Sequence, residues 1–573
     1  MGWFLPFVLS FSVSAGQPDK KANLFSHQFS QVFRSDSIHT EAEYFQALQH
    51  ADEYTFKYQF ETEFLLLLDE AQKAEYLKLP SLNAKKHYII QYWKASNPNP
   101  LLDQNDWLLD FLRRRQYVRK HFAISRPPYF DDRGKYYLKY GKPFRWYIDA
   151  AGYELINFSD LLPGVRLGLP TRRFVTIRPN ESWSYENISR NFVVHFMKAG
   201  EGYREIDDLL EVVEFTEGSG KYNIEFMAQI WAALLAERAY LSHEFQVAED
   251  KMRWISEGRR YLQNQYDRVL AQPSIVKDRF EKARRVAIKD APNVAYAPIH
   301  AVNDLKLYTR ISQFKGEEEN TRINIDFLWP LADKWFKNLD DELSDTMRVV
   351  FSALFRDRQF DPVDRKNIEL RVPISTVKRM GLKYIVHSAE LSALPQTGEL
   401  TVQVQNDFLD KLGFRRNRLR VRDFHRPVVA VSDIQFFAAA NDFTAAPFPK
   451  VNIQNLELVP YPYYAMKRSL PVYTYYEIYN LQTTDAEKYV VEYKISSVGG
   501  SSNLIKRVLN LFSGKKSSIT MSYERPIEGD TARELLMIDL KQLKSGKYLV
   551  EITVRFPGTD KQAVSAQREI YLD

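Results

Sequence analysis

The sequence predicts a multidomain chain, part α+β and part all-β: a small domain of helices on an antiparallel sheet, a helical segment, and two immunoglobulin-like β-sandwich domains. Three observations carry this prediction. The chain has 573 residues, which at roughly 150 residues per domain implies about three to four domains. Its hydrophobic periodicity is helical up to about residue 120 and again over 204–290, then alternates with period two after residue 291. Finally, residues 398–404 (GELTVQV) and 546–552 (GKYLVEI) each start with a turn glycine and continue as an alternating strand, an internal repeat that implies two similar modules.

Composition narrows the classes. Hydrophobic residues make up 45% and charged residues 27%, which excludes a wholly disordered chain and a multi-spanning membrane protein. With 79 basic and 73 acidic side chains, the net charge of +6 is too dilute to predict nucleic-acid binding. There is no cysteine, so disulfide scaffolds, thiolate zinc sites and cysteine nucleophiles are excluded together.

In chain order, residues 1–15 read as a signal peptide. The apolar run 3–15 (WFLPFVLSFSVSA) is too short to cross a bilayer as a helix, and Val13 and Ala15 form a cleavage site before Gly16. Residues 16–34 read as a linker. Within a domain over 35–203, Thr40 and Glu43 form a capping box opening a helix, a second helix covers 83–94, and the Asn97-Pro98-Asn99-Pro100 stretch ends it. A third helix starts after Asp103 or Asn105 and runs to about His121. Strands are expected at Tyr136, Leu138 and Tyr140, at Trp183 and Tyr185, and at Phe192, Val194 and Phe196, with 141–180 as a long loop.

The segment 204–290 is read as helical, with Phe226, Ile230, Ala233, Leu234 and Leu241 on one stripe. The first sandwich, 291–426, opens with a hairpin in which Leu305, Leu307, Thr309 and Ile311 are answered by Ile323, Ile325 and Phe327. The second, 427–573, contains strands near 472–478, 489–495 and 547–556 and a last one ending at Leu572.

No metalloprotease, phosphate-loop, nucleophile-elbow or dinucleotide motif is present, and no cofactor is implied. His121, His195 and His387 fall in patterned elements and read as structural. Three clusters remain. Asp131 and Asp132 could act as acid and base, although Asp131 or Asp132 capping a turn, Arg133 pairing with a carboxylate and Gly134 taking a special φ is the simpler reading. Arg416, Arg418, Arg420 and Arg422 share one face of a strand and form a basic stripe. Tyr473, Tyr475 and Tyr479 lie opposite Val472, Tyr476 and Ile478, so that strand is either covered on both sides by another domain or exposes a tyrosine binding strip.

Residues 77–197 resemble the GWxTD domain, a family of exported bacterial proteins. The matching stretches are 85–100 (KKHYIIQYWKASNPNP), 111–122 (FLRRRQYVRKHF), 132–143 (DRGKYYLKYGKP) and 181–185 (ESWSY). Where the family has Gly, Trp and Thr this chain has Pro128, Tyr129 and Asp131, and Asp132 is kept with Arg133 and Gly134 after it. The region after Ala291 resembles the part C-terminal to the domain in longer members. The resemblance implies an envelope protein of unestablished activity and marks Tyr129, Asp132 and Arg133 as family positions.

The expectation is therefore a non-enzymatic exported protein of the periplasm or cell surface, acting by interaction or as a structural component. Its partner would be another envelope protein, with no nucleic acid and no transmembrane span in the mature chain. Two alternatives are a carbohydrate- or anion-binding module built on the tyrosine strip or arginine stripe, and a hydrolase built on Asp131 and Asp132.

Overall fold

The computed structural model describes residues 38–155, 175–215, 224–258, 273–296, 304–332, 335, 346–439, 450–461, 465–498, 518–560 and 562–573. The expected signal peptide and linker lie outside the described residues. The chain divides into two compact units, Met1–Trp93 with Trp107–Pro298, and Lys94–Asp106 with Ile299–Asp573.

The first unit starts with helix α1 (Glu41–His50), whose Thr40 and Glu43 make the reciprocal capping bonds the sequence predicts. α2 runs from Glu53–Phe56 through a π-helical turn, Lys57–Glu61, into Thr62–Leu65, and α3 covers Glu70–Leu77. α4 (Leu82–Ser96) and α5 (Asp106–His121) follow at the expected places. Their apolar faces bury Leu48, Phe60, Phe64, Ile89, Trp93 and Phe111 in one aromatic-rich core. Within it Arg115 and Arg119 both donate to the buried Glu63 carboxylate and to the Gln59 carbonyl in the π turn. Glu63 thus sits among matched donors, the condition under which a buried charge is tolerated.

The strand expected at Tyr136–Tyr140 is instead helix α6 (Asp132–Tyr140). Asp131 is its N-cap, accepting from the Arg133 amide, and Gly134 and Leu138 turn inward one helical turn apart. Gly134 takes an ordinary helical φ, not the special one expected. What it supplies is room: a Cβ there would lie 2.7 Å from Phe130 Cδ2 and 2.9 Å from Val118 Cγ1.

Among the described residues seven strands follow: β1 (Arg145–Asp149), β2 (Tyr153–Leu155), β3 (Val175–Ile177), β4 (Asn180–Ser184), β5 (Val193–Ala199), β6 (Gly202–Ile206) and β7 (Val213–Phe215). The expected loop over 141–180 thus carries β1, β2 and β3, and part of it lies outside the described residues. β1-β4-β5-β6 form one antiparallel sheet and β2-β3-β7 a small second one. The main sheet is covered on both faces. Val194 and Phe196 point into the core under the N-terminal helices, whereas Val193 and Met197 point into a core made with α7 (Ile224–Ala236), α8 (His243–Gly258) and α9 (Pro273–Asp290). Ile230, Leu234 and Leu241 of the predicted stripe are buried there.

The second unit holds two β-sandwiches of one topology. The first has β8 (Tyr308–Lys315), β9 (Thr321–Pro330), β10 (Thr346–Arg356), β11 (Pro362–Pro373), β12 (Tyr384–Ala393), β13 (Thr397–Asn406) and β14 (Lys411–Arg420), with helix α10 (Ile374–Met380) between β11 and β12. Its sheets are β12-β9-β8 and β11-β10-β13-β14, all antiparallel.

The second has β15 (Ala430–Val431), β16 (Gln435–Ala439), β17 (Val451–Ile453), β18 (Leu456–Pro460), β19 (Ala465–Met466), β20 (Val472–Tyr479), β21 (Lys488–Ser497), β22 (Ser518–Pro526), β23 (Thr531–Ile538), β24 (Gly546–Arg555) and β25 (Val564–Leu572). Its β23-β20-β16 and β22-β21-β24-β25 repeat the two sheet orders of the first sandwich strand for strand. The β17-β18 hairpin extends the sheet past β16. The two repeat motifs sit at the same place, on β13 between β10 and β14 and on β24 between β21 and β25. Each sandwich has its own core, Ile323, Ile325 and Phe327 against Phe351, Val402 and Val404 in one, and Tyr476 and Ile478 among Val491, Val550 and Ile552 in the other.

Candidate binding site

The acidic cluster is fully committed to structure. Asp131 accepts from the Arg133 amide and, at 3.0 Å, from the Tyr203 amide of β6. Arg133 Nη2 reaches Asp131 at 2.7 Å and its Nη1 reaches Glu181 at 2.6 Å, with the guanidinium between Tyr203, 3.9 Å from its ring centroid, and Phe122, 4.7 Å. Asp132 accepts from the Glu205 amide at 2.8 Å and pairs with Lys135 at 2.7 Å. The two carboxylates are thus spent on different residues of β6 and do not converge on a common atom. Burial raises the Glu205 carboxyl, with a partial offset from the Tyr136 hydroxyl that donates to it at 2.6 Å. Tyr129 is wholly buried at φ 69°, its hydroxyl against that of Tyr54. Together Tyr129, Asp132 and Arg133 fasten α6 and its lead-in to neighbouring elements.

The arginine stripe divides in two. Arg416 donates to the carbonyls of Ala95 and Asn97 and, at 2.6 Å, to Glu399. Arg356 shares Glu399 and donates to the Lys94 carbonyl, and Arg365 donates to the Leu101 carbonyl at 2.9 Å. Asn99, whose amide bonds Gln403, completes the attachment of the Asn-Pro segment to the outer face of the β11-β10-β13-β14 sheet. Burial alone would raise the Glu399 carboxyl, and the bonds from Arg416 and Arg356 outweigh it and hold it below the usual range. Arg422 pairs with Asp433 at 3.0 Å. Arg418 and Arg420 are exposed and have no ion-pair partner among the described residues.

The tyrosine strip lies where the two sandwiches meet. Tyr475 and Tyr479 both donate to the buried Glu477 carboxylate, at 2.6 and 2.9 Å, and Arg322 of β9 adds a third bond at 3.0 Å. The Tyr479 oxygen also accepts from the Lys315 amide at 2.9 Å. Burial pushes both phenols well above their ordinary range, and the adjacent carboxylate adds to it. Across the same junction Gln435 donates to both oxygens of the fully buried Asp326, Asp433 accepts from the Gln313 amide, and Arg568 donates to the Ile311 carbonyl. Burial raises the Asp326 carboxyl despite donation from Ser388 and Gln435. The junction is polar, paired and largely buried, so the sandwiches are held as one body rather than strung on a linker.

Beside this junction is a cleft of about 330 Å³. One wall is polar: Arg322 and Asn324 on β9, Ser388 and Glu390 on β12. The other is mostly apolar: Phe437 on β16, Val451 and Ile453 on β17, Pro460 on β18, with Tyr475 and Gln435 closing it. Arg322 Nε and Asn324 Oδ1 have no hydrogen-bond partner among the described residues; Glu390 is 3.9 Å from Arg322 Nε, too far for a hydrogen bond. Of the sequence-predicted site residues only Tyr475 lines this cleft. Tyr473 is half-buried on β20 outside its lining, and Tyr479 is sealed in the junction. The other lining residues were missed, although the hairpin pattern contained them: Arg322 and Asn324 are the polar alternates of Ile323 and Ile325.

Among the described residues no group of His, Asp and Glu is placed to hold a metal ion, and no helix is long and apolar enough to cross a membrane. No family model matches the chain. No curated protein matches it. Among solved structures, red sea bream transglutaminase aligns over 53% of this chain at 8% identity with a TM-score of 0.15, a likeness too low to carry an argument. The chain covers about a third of that enzyme's length, 35%.

Proposed function

We propose that this chain is an exported bacterial envelope protein of the GWxTD type that works by binding, with the tandem sandwich unit as its recognition part. The observation that carries the reading is the locked junction. Glu477, Asp326 and Asp433 fix two sandwiches into one body and leave a cleft walled by both. A site assembled from two modules needs that fixity, because a partner that touches both would otherwise have to order them on binding. The alternative based on Asp131 and Asp132 loses support, since both carboxylates are consumed in holding β6 to α6.

The test is a capture experiment with the chain displayed in its native envelope, comparing the unaltered protein with Val451→Arg, which intrudes on the cleft from an edge strand, and Val363→Arg, an exposed position outside it. A stoichiometric partner retained by Val363→Arg and lost by Val451→Arg is expected. A partner held equally by both variants would remove the cleft from the binding function.

A further inference from the structure

We infer that β1 is a self-association edge: two copies of this chain join β1 to β1 in antiparallel register about a two-fold axis at Tyr147, so that their main sheets run on as one. The inference is independent of the binding function proposed above. In the first unit the β1-β4-β5-β6 sheet ends in two unlike edges. At β6 the edge is closed, because the Tyr203 and Glu205 amides are taken by the carboxylates of Asp131 and Asp132 at the start of α6. At the other end β1 pairs with β4 alone among the described residues. There the Tyr240 hydroxyl donates to the Trp146 carbonyl at 2.7 Å, and Tyr240 is itself half-exposed, so its ring can turn aside without opening the core.

Edge strands are ordinarily guarded by outward charges, prolines or bulges. β1 carries the reverse. Phe144 just before the strand, then Trp146 and Ile148, fall at alternate positions and are 52%, 42% and 53% exposed. Trp146 lies across from the buried Trp183, so the apolar surface continues the core under the N-terminal helices out to the rim of the sheet.

The order of residues in β1 says what fits it. Reversed about Tyr147 and laid against itself, the strand puts Trp146 opposite Ile148 of the second copy and Arg145 opposite its Asp149, and the symmetry repeats both pairs. An aromatic beside a β-branched side chain and a cation beside a carboxylate are the pairs that favour antiparallel neighbours. Within one chain Arg145 and Asp149 share a strand face about 13 Å apart, too far to meet. Arg145 donates to the Tyr240 carbonyl and Asp149 accepts from the Ala151 and Gly152 amides, and neither has an ion-pair partner among the described residues. Because the two charges cancel along β1, the strand offers no net attraction to an anionic surface, whereas a second copy supplies the complementary order by symmetry. With five residues a side the contact falls in the small, transient class, and the dimer should dissociate in the micromolar range.

The experiment is sedimentation equilibrium of the full chain across the micromolar range. A reversible monomer–dimer equilibrium is expected. Ile148→Lys and Arg145→Asp should each weaken it at least tenfold, since every substitution acts twice across the axis, and Val363→Arg should leave it unchanged. Arg145→Asp combined with Asp149→Arg exchanges the charges and should restore the dimer. The chain has no cysteine, so register can be read by oxidative cross-linking: a mixture of Trp146→Cys and Ile148→Cys should give the mixed disulfide in preference to either homodimer. A folded chain that stays monomeric throughout would overturn the inference. So would a dimer indifferent to both Ile148→Lys and Arg145→Asp, or cross-linking in which the homodimers predominate.

Discussion

His195 should make the stability of the first unit depend on pH through a single proton. It lies on β5 facing the helices α7 to α9, wholly buried, with Ser182 Oγ 2.7 Å from its Nδ1 and the Phe245 ring beside it. Burial holds its pKa well below the ordinary range, and the positive charges of Arg284 and Arg238 push the same way. Arg238, itself buried, donates to Ser182 Oγ at 2.9 Å and to Asn180 and stacks 3.8 Å from the Tyr147 ring centroid, so it stays where it opposes an imidazolium. The folded imidazole is therefore neutral, whereas the unfolded one titrates near pH 6.5. The folded pKa is depressed, so this contribution is present above the unfolded pKa and is lost as the pH falls below it. The slope approaches about 1.4 kcal/mol per pH unit, giving a loss of about 1.4 kcal/mol between pH 7.5 and 5.5 and about 2 kcal/mol by pH 5. Hydrogen exchange of β5 amides, corrected for intrinsic rates, should show an opening equilibrium about tenfold larger at pH 5.5 than at 7.5. In His195→Gln, whose amide oxygen can still accept from Ser182, that increment should vanish whatever the variant's overall stability. Because the raised Glu205 carboxyl of the same sheet acts with the opposite sign, the comparison with the variant decides: an unchanged slope in His195→Gln would refute the reasoning.

Other perturbations follow from the same geometry. Gly134→Ala should cost about 1–3 kcal/mol through overpacking against Phe130 and Val118, read by thermal unfolding, and an unchanged midpoint would show that α6 can shift to admit a methyl group. Arg416→Ala should raise proteolytic cleavage and hydrogen exchange within 94–106 by freeing the Ala95 and Asn97 carbonyls, while β10 amides stay protected; equal protection in the variant would mean that Arg356 and Arg365 suffice. Glu477→Gln leaves three donors competing for one carbonyl oxygen. It should cost about 1–3 kcal/mol, discounted for the partly exposed Arg322, with exchange rising in β8 and β20 together; a rise in β20 alone would show that the junction does not depend on this carboxylate.

Local chemistry decided which elements could be read in advance. The Thr40 and Glu43 capping box is a contact between residues three apart, so its pattern is nearly its structure. The hairpin of β8 and β9 was equally accessible, because alternation and a turn at Gly316 define the register, with Ile311 opposite Ile325. At 136–140 the pattern failed for a specific reason. Over five residues, bulky groups at 136, 138 and 140 satisfy a period of two, and the signals for a helix are Asp131 as its cap and Gly134 as a gap. Gly134 has meaning only once Val118 and Phe130 are known to pack against it. Asp131 and Asp132 looked like a pair for the same reason, being adjacent in sequence while the residues whose amides they bind, Tyr203 and Glu205, lie some seventy residues away.

The cleft was hidden by the feature that made the repeat visible. β9 and β20 hold the same place in their sandwiches, and both put apolar residues inward, Ile323, Ile325 and Phe327 in one and Tyr476 and Ile478 in the other. Alternation records that inner face and leaves the outer face looking like ordinary solvent-facing surface. The copies differ outside: β9 carries Arg322, Asn324 and Asp326, and β20 carries Tyr473, Tyr475, Glu477 and Tyr479. The two faces fit at specific pairs: Arg322 bonds Glu477 across the junction, and the Asp326 carboxylate on β9 takes its donor across it from Gln435. Two copies with the same outer face would have set like charges against each other. The difference between the copies, rather than their similarity, thus fixes the junction. Arg322 and Tyr475 belong to the junction and to the cleft at once, so a substitution that loosens the first must also disturb the second.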